Sequence, residues 1–219
     1  MKILEGYFGL PRRGLFTGII LINLLLIWLS QTITMDETVF FNTYSEQLTF
    51  QRSMELFSMM KSFSWVAYLV SPLILIIKFS VLSLIIYTGV FLSDLQEEIT
   101  LGMVFTTVIA AEIIFVLASV TKLLWFTFFA GNYTLNDMSF FYPLSLINLF
   151  RQPEVAKYWV YPLQTINVFQ FIYILVLAAG LAKISSVKKE ITDKIILVTY
   201  LPAFALWIAF IMFLTIDIS

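Results

Sequence analysis

Lys78 is the only charged residue in the apolar run from Trp65 to Leu92, and Glu112 lies in the middle of the next run, residues 99–129. Runs of this length leave a chain few folds. A helix of about 20 apolar residues crosses the hydrocarbon core of a bilayer, and it closes its backbone hydrogen bonds within itself. The two runs are joined by the short polar segment Ser93-Asp94-Leu95-Gln96-Glu97-Glu98. An antiparallel hairpin therefore sets both charges at a similar residue count from the turn, roughly 20 Å in at about 1.5 Å per residue. A charge at the bilayer centre costs a few kcal/mol even on the mildest scale, so it takes a partner or lines a wet cavity. The expectation is a Lys78–Glu112 pair on adjacent helices.

Composition supports the membrane reading. The chain has 219 residues, 60% of them hydrophobic, with a mean hydropathy of +0.94. A soluble domain cannot hide that much apolar surface. A net charge of −1 argues against nucleic acid as a partner. Cysteine and histidine are both absent, which excludes disulfides, thiolate metal sites, S-acylation, the usual zinc and haem sites and Ser-His catalysis. No metal-ligand cluster, phosphate loop, Ser-Lys pair or paired aqueous carboxylates stands out, so neither a cofactor nor an enzymatic activity is expected.

The fold class expected is an all-α, polytopic membrane protein: one transmembrane domain over 1–219 with about five spans. They are placed at residues 15–33, 65–92, 99–129, 159–182 and 191–216. Lys2, Arg12 and Arg13 precede the first run as in a signal sequence, but no small-x-small cleavage site follows, so it reads as an uncleaved span. The second and third runs exceed what a bilayer needs and must tilt, project or break. Pro72 and Pro202 are candidate kinks. The inner segments hold Lys2, Arg12, Arg13, Lys183, Lys188, Lys189 and Lys194, against Arg52, Lys61, Arg151 and Lys157 in the outer loops. That bias predicts a cytoplasmic N-terminus and a C-terminus on the far side.

The outer loops are residues 34–62 and 130–158. Phe50, Met54, Phe57 and Lys61 recur at helical spacing and predict a short amphipathic helix. Pro143 suits the first turn of an interfacial or re-entrant helix over residues 143–150. The triplet Asn132-Tyr133-Thr134 has the form of a glycosylation acceptor.

Each remaining candidate has a structural and a functional reading. Lys78 with Glu112 either fixes the register of two helices or serves an ion or proton relay. Lys122, further along the third run, either snorkels or contacts an anionic lipid or ligand. Gly14 and Gly18 form a small-xxx-small motif, and Ala178, Ala179 and Gly180 form a second small patch; both allow close helix approach. Arg12, Arg13, Lys183, Lys188 and Lys189 set topology and meet lipid headgroups. Asn23 and Asn167 are read as hydrogen-bonding between helices.

The segment Pro143-Leu144-Ser145-Leu146-Ile147-Asn148-Leu149-Phe150 precedes Trp159 and Pro162. An apolar helix ending Leu177-Ala178-Ala179-Gly180-Leu181 follows, then a basic turn and a last span with Pro202 and Trp207. This pattern, over residues 143–216, resembles the Yip family of small five-span proteins, named in eukaryotes for interacting with Ypt/Rab GTPases and also present in bacteria. Eukaryotic members carry a long cytosolic N-terminal region, whereas about fourteen residues precede the first span here. The resemblance implies a membrane scaffold or complex subunit without catalytic residues. The expectation is a bacterial inner-membrane protein whose partners are the lipid bilayer and other membrane proteins in a hetero-oligomer. The alternative is an ion- or proton-coupled transport subunit.

Overall fold

The computed structural model describes residues 7, 8, 10–45 and 47–217; Lys2, Ile218 and Ser219 lie outside the described residues. The protein is all-α. Five helical segments are long and apolar enough to cross a membrane: Arg12–Thr34, Trp65–Leu92, Leu101–Phe128, Val168–Ser185 and Lys189–Ile216. It is an integral membrane protein. The first segment is helix α1 (Arg12–Leu29) continued by a π-helical turn over Ser30–Thr34. Helices α2 (Glu37–Tyr44) and α3 (Phe50–Ser62) follow. The second span is α4 (Trp65–Leu92), and the third is divided into α5 (Leu101–Ala111) and α6 (Ile113–Phe128). Helices α7 (Leu135–Phe140) and α8 (Lys157–Thr165) flank the irregular second loop. The bundle ends with α9 (Val168–Ser185) and α10 (Lys189–Asp217).

The third span is the centre of the bundle. Half of its apolar window is buried, the largest share of the five. It packs against α1, α4 and α9, while α10 closes the bundle against α4 and α9. Phe79, Ile86 and Val90 of α4, Val104 and Val108 of α5, Leu177 and Leu181 of α9 and Ile195 of α10 form one apolar core. Two glycines set the closest approaches. A Cβ on Gly89 would stand 2.5 Å from Thr199 Cγ2 of α10, and one on Gly180 would stand 2.5 Å from the Phe8 ring and 3.1 Å from Thr107 Cγ2. Only hydrogen fits at such separations.

The amphipathic helix expected around Phe50 to Lys61 is α3. It packs on α2 through Phe40 and Phe57, with ring centroids 5.6 Å apart. Helix α2 was not anticipated; Asp36 starts it by accepting a hydrogen bond from the Val39 N–H at 2.8 Å. Thr134, of the glycosylation-like triplet, caps α7 in a reciprocal box with Asp137.

Several expectations are corrected. The fourth span is not residues 159–182. Helix α8 ends at Thr165 and the crossing helix starts at Val168. Asn167 is the reason: its Oδ1 accepts from the Gln170 N–H at 2.8 Å and caps α9, while its Nδ2 donates to Gln164 O and Thr165 O at the end of α8, at 2.8 and 3.1 Å, so it links these two helices as expected. Backbone bonds Leu146 N–H to Ile166 O and Val168 N–H to Leu144 O, both 3.1 Å, tie this junction to the preceding loop. That pairing holds residues 143–150 in an extended turn with only a 3₁₀ segment, Leu146–Leu149, in place of the expected helix. Asn23, by contrast, donates to Ile19 O of its own helix at 2.9 Å and so does not bridge helices. A Cβ on Gly18 would meet nothing within 4 Å, and one on Gly14 only Pro11, so this motif mediates no close helix approach among the described residues. In the second small patch Ala178 and Gly180 are buried, but Ala179 is exposed.

Candidate functional site

Helices α4 and α5 run antiparallel from a tight connection, in which Thr100 caps α5 by accepting from the Met103 N–H at 3.3 Å. Lys78 is fourteen residues from Leu92 at the end of α4, and Glu112 eleven from Leu101 at the start of α5. At about 1.5 Å per residue both lie roughly 16–21 Å from that end. The two side chains meet there. Lys78 Nζ donates to both carboxylate oxygens of Glu112, at 2.7 and 2.8 Å. The ammonium also sits 4.5 Å from the centroid of the Phe115 ring, one turn beyond Glu112.

Glu112 interrupts the third span. Its N–H donates to Ile109 O at 3.2 Å, and the Phe115 N–H donates to Glu112 O at 2.9 Å, both three-residue spacings. The helix tightens locally between α5 and α6, so the carboxylate stands at a defect in the helical ladder. By contrast, α4 and α10 stay helical through Pro72 and Pro202. The pair is also asymmetric. The Glu112 side chain is 5% exposed, whereas that of Lys78 is 34% exposed. The carboxylate faces the bundle interior, and the lysine reaches it from the outer side of α4.

A group of tyrosines surrounds the acid. Tyr173 of α9 packs against Phe115 with the rings tilted and their centroids 4.6 Å apart, and its ring centroid lies 5.8 Å from that of Tyr200 of α10. Gln170 Nε2 donates to the Tyr200 hydroxyl at 2.8 Å. Tyr173 is fully buried, and its hydroxyl has no hydrogen-bond partner among the described residues. Tyr173 is twelve residues from Ser185 and Tyr200 eleven from Lys189, so both share the depth of Glu112. Towards the loop end, burial first and the negative charge of Glu112 second push the Tyr142 phenol up to about 12. Tyr161, in α8, accepts from Trp207 Nε1 at 2.8 Å. The tyrosines were not singled out from sequence. The available signal was a polar hydroxyl at matching depth in each of the last two spans.

The other candidates do not join this cluster. Arg12, Arg13, Lys183, Lys188 and Lys189 lie at the end of the bundle where α1 and α10 begin and α9 ends. Arg12 Nη1 comes within 3.2 Å of the position a Cβ would take on Gly102, at the start of α5. Lys189 pairs with Asp193 at 2.6 Å on the surface. Lys122 is half-buried on α6, beside a separate cleft. Among the described residues no group of three metal-ligating acids forms. No protein-family model, curated protein or solved structure matches the chain.

Proposed function

We propose that this protein is a non-enzymatic scaffold or small subunit of a larger membrane assembly, of Yip-like type, in a bacterial inner membrane with its N-terminus cytoplasmic. The carrying observation is the partial exposure of Lys78 at mid-span. Its ammonium lies roughly 20 Å from either end of α4, beyond what a lysine side chain can bridge by snorkelling. Leu73, Ile74, Ile77 and Val81 beside it are all exposed and apolar. Hydrocarbon is a poor cover for a lysine, whereas a helix from another subunit can shield the pair and bury that apolar face. The test is affinity purification from the native membrane in mild detergent, with a photo-crosslinking residue at Ile77. A stoichiometric membrane protein that crosslinks at Ile77 is expected. Recovery of the chain alone, crosslinked only to lipid, refutes the reading.

A second reading, ion- or proton-coupled transport, is favoured by one observation: the helix tightens to three-residue hydrogen bonding at the intramembrane acid itself. Transporters place ion paths at irregular turns within their helices. Here flux in proteoliposomes decides. A Lys78→Met/Glu112→Leu double variant that assembles but loses flux supports transport; one that assembles and leaves any measured flux unchanged supports the scaffold.

A further inference from the structure

Lys122 has no hydrogen-bond or ion-pair partner among the described residues, although it is half-buried in a transmembrane helix. It lies six residues before Phe128, the end of α6, or roughly 9 Å inside that end of the bundle. Its side chain lines a cleft of about 510 Å³ between α1, α6 and α7. The π-helical turn at Ser30–Thr34 forms one wall, where the change of pitch brings both hydroxyls to the cleft.

The polar groups lining this cleft are neutral, and none of them bonds the lysine. Thr34 Oγ1 donates to Ser30 O at 2.8 Å, Ser119 Oγ to Phe115 O at 3.0 Å, and Ser139 Oγ to Asn136 O at 2.8 Å. Asn23 Nδ2 donates to Ile19 O. Among the described residues no carboxylate lines the cleft. The three protons of the ammonium therefore point into a space whose walls hold no countercharge. The remaining walls are apolar, with Leu26, Ile27, Leu123 and Phe126 continuing from the lysine.

We infer that this cleft binds an anionic amphiphile, with its negatively charged head on Lys122 and its acyl chain along Leu26, Ile27, Leu123 and Phe126. The shared chemistry is one negative head joined to a hydrocarbon chain; a phospholipid phosphate and a fatty-acid carboxylate are its two sources. The depth suits a head group at the edge of the hydrocarbon. The hydroxyl oxygens of Ser30 and Ser119 can accept from donors on the head, such as glycerol hydroxyls. This inference is independent of whether a protein subunit covers Lys78, because the cleft lies on α1 and α6 rather than on α4.

The test is native mass spectrometry of the full chain released from nanodiscs. Phosphatidylcholine is the bulk lipid, and phosphatidylglycerol of equal chain length, palmitate or inorganic phosphate is added in separate arms. Phosphatidylglycerol or palmitate should be retained at one copy, and which of the two is held more firmly identifies the source. Retention should fall about five- to tenfold in Lys122→Met, the loss expected from one cation near a membrane surface. Lys122→Arg should keep it, and Lys61→Gln, outside the cleft, should not change it. Equal retention of phosphatidylcholine by the wild type overturns the inference even if Lys122→Met fails to fold. So does retention unaltered in a folded Lys122→Met, or uptake of phosphate without a chain.

Discussion

Separating Lys78 from Glu112 should cost far more than deleting both. Lys78→Met leaves the Glu112 carboxylate at 5% exposure, with both lysine hydrogen bonds gone. Removing one partner of a buried pair typically costs about 3–5 kcal/mol, because the remaining charge is uncompensated. Glu112→Leu leaves an ammonium that is 34% exposed and still over the Phe115 ring. Its cost should lie at or below the lower end of that range. In the double variant Lys78→Met/Glu112→Leu no charge remains, and the apolar replacements have similar bulk. Its net change should fall within about 1 kcal/mol of zero, since apolar replacement of a buried pair is often neutral. The singles then sum to roughly 3–8 kcal/mol against a double near zero, a coupling of several kcal/mol. Reversible unfolding in mixed detergent–SDS micelles, followed by tryptophan fluorescence, measures all four corners of this cycle. A coupling below about 1 kcal/mol, or a Lys78→Met variant as stable as wild type, would refute the view that the pair is a closed low-dielectric contact.

Other outcomes follow from the packing and from the tyrosines. Gly89→Ala should lose about 1–3 kcal/mol by driving a methyl into Thr199 and Ile195, whereas Gly18→Ala should leave unfolding unchanged or slightly raised, as measured in the same micelles. Tyr142, with its folded pKa raised from 10.0 to about 12, favours the folded state below pH about 10 and loses that contribution as pH rises through about 12. Tyr142→Phe should therefore flatten the alkaline fall in stability, and an unchanged alkaline profile would count against its burial. Tyr173→Phe removes a hydroxyl with no hydrogen-bond partner among the described residues and should hold or raise stability by about 1 kcal/mol. A loss larger than that would mean the hydroxyl is bonded in the membrane, which favours the transport reading.

The pairing of Lys78 with Glu112 was legible because it depends only on residue counts from one short turn, and helical rise converts counts into depth. The number of spans was legible for the same reason: it follows from the lengths of apolar runs. The boundary of the fourth span was not. Tyr158, Trp159, Tyr161 and Pro162 continue the apolar pattern, but the chain turns at Asn167, where its junction with α8 is pinned to Leu144 and Leu146 from more than twenty residues upstream. No local pattern encodes a bridge of that span. The glycines show a related limit. Gly14 and Gly18 have the spacing of a packing motif, yet the close approaches fall on Gly180, in the second small patch, and on Gly89, which no motif marks, because spacing identifies a face without identifying what lies opposite.

Where the bundle becomes irregular is decided by polarity rather than by proline. Pro72 and Pro202 each remove a backbone donor, yet α4 and α10 continue through them. The third span keeps every donor and tightens at Glu112, where the backbone stays right-handed helical but bonds at three-residue spacing. The bidentate lysine, the Phe115 face and the buried Tyr173 fix where the Glu112 side chain and the start of α6 must stand, and the tightened backbone joins those positions. Removing the charge pair should then relax the tightened turn as well as the contact. A double variant with regular four-residue bonding through the third helix would show that the ion pair holds the tightened turn. One that keeps the turn would assign it to the packing of Phe115 on Tyr173.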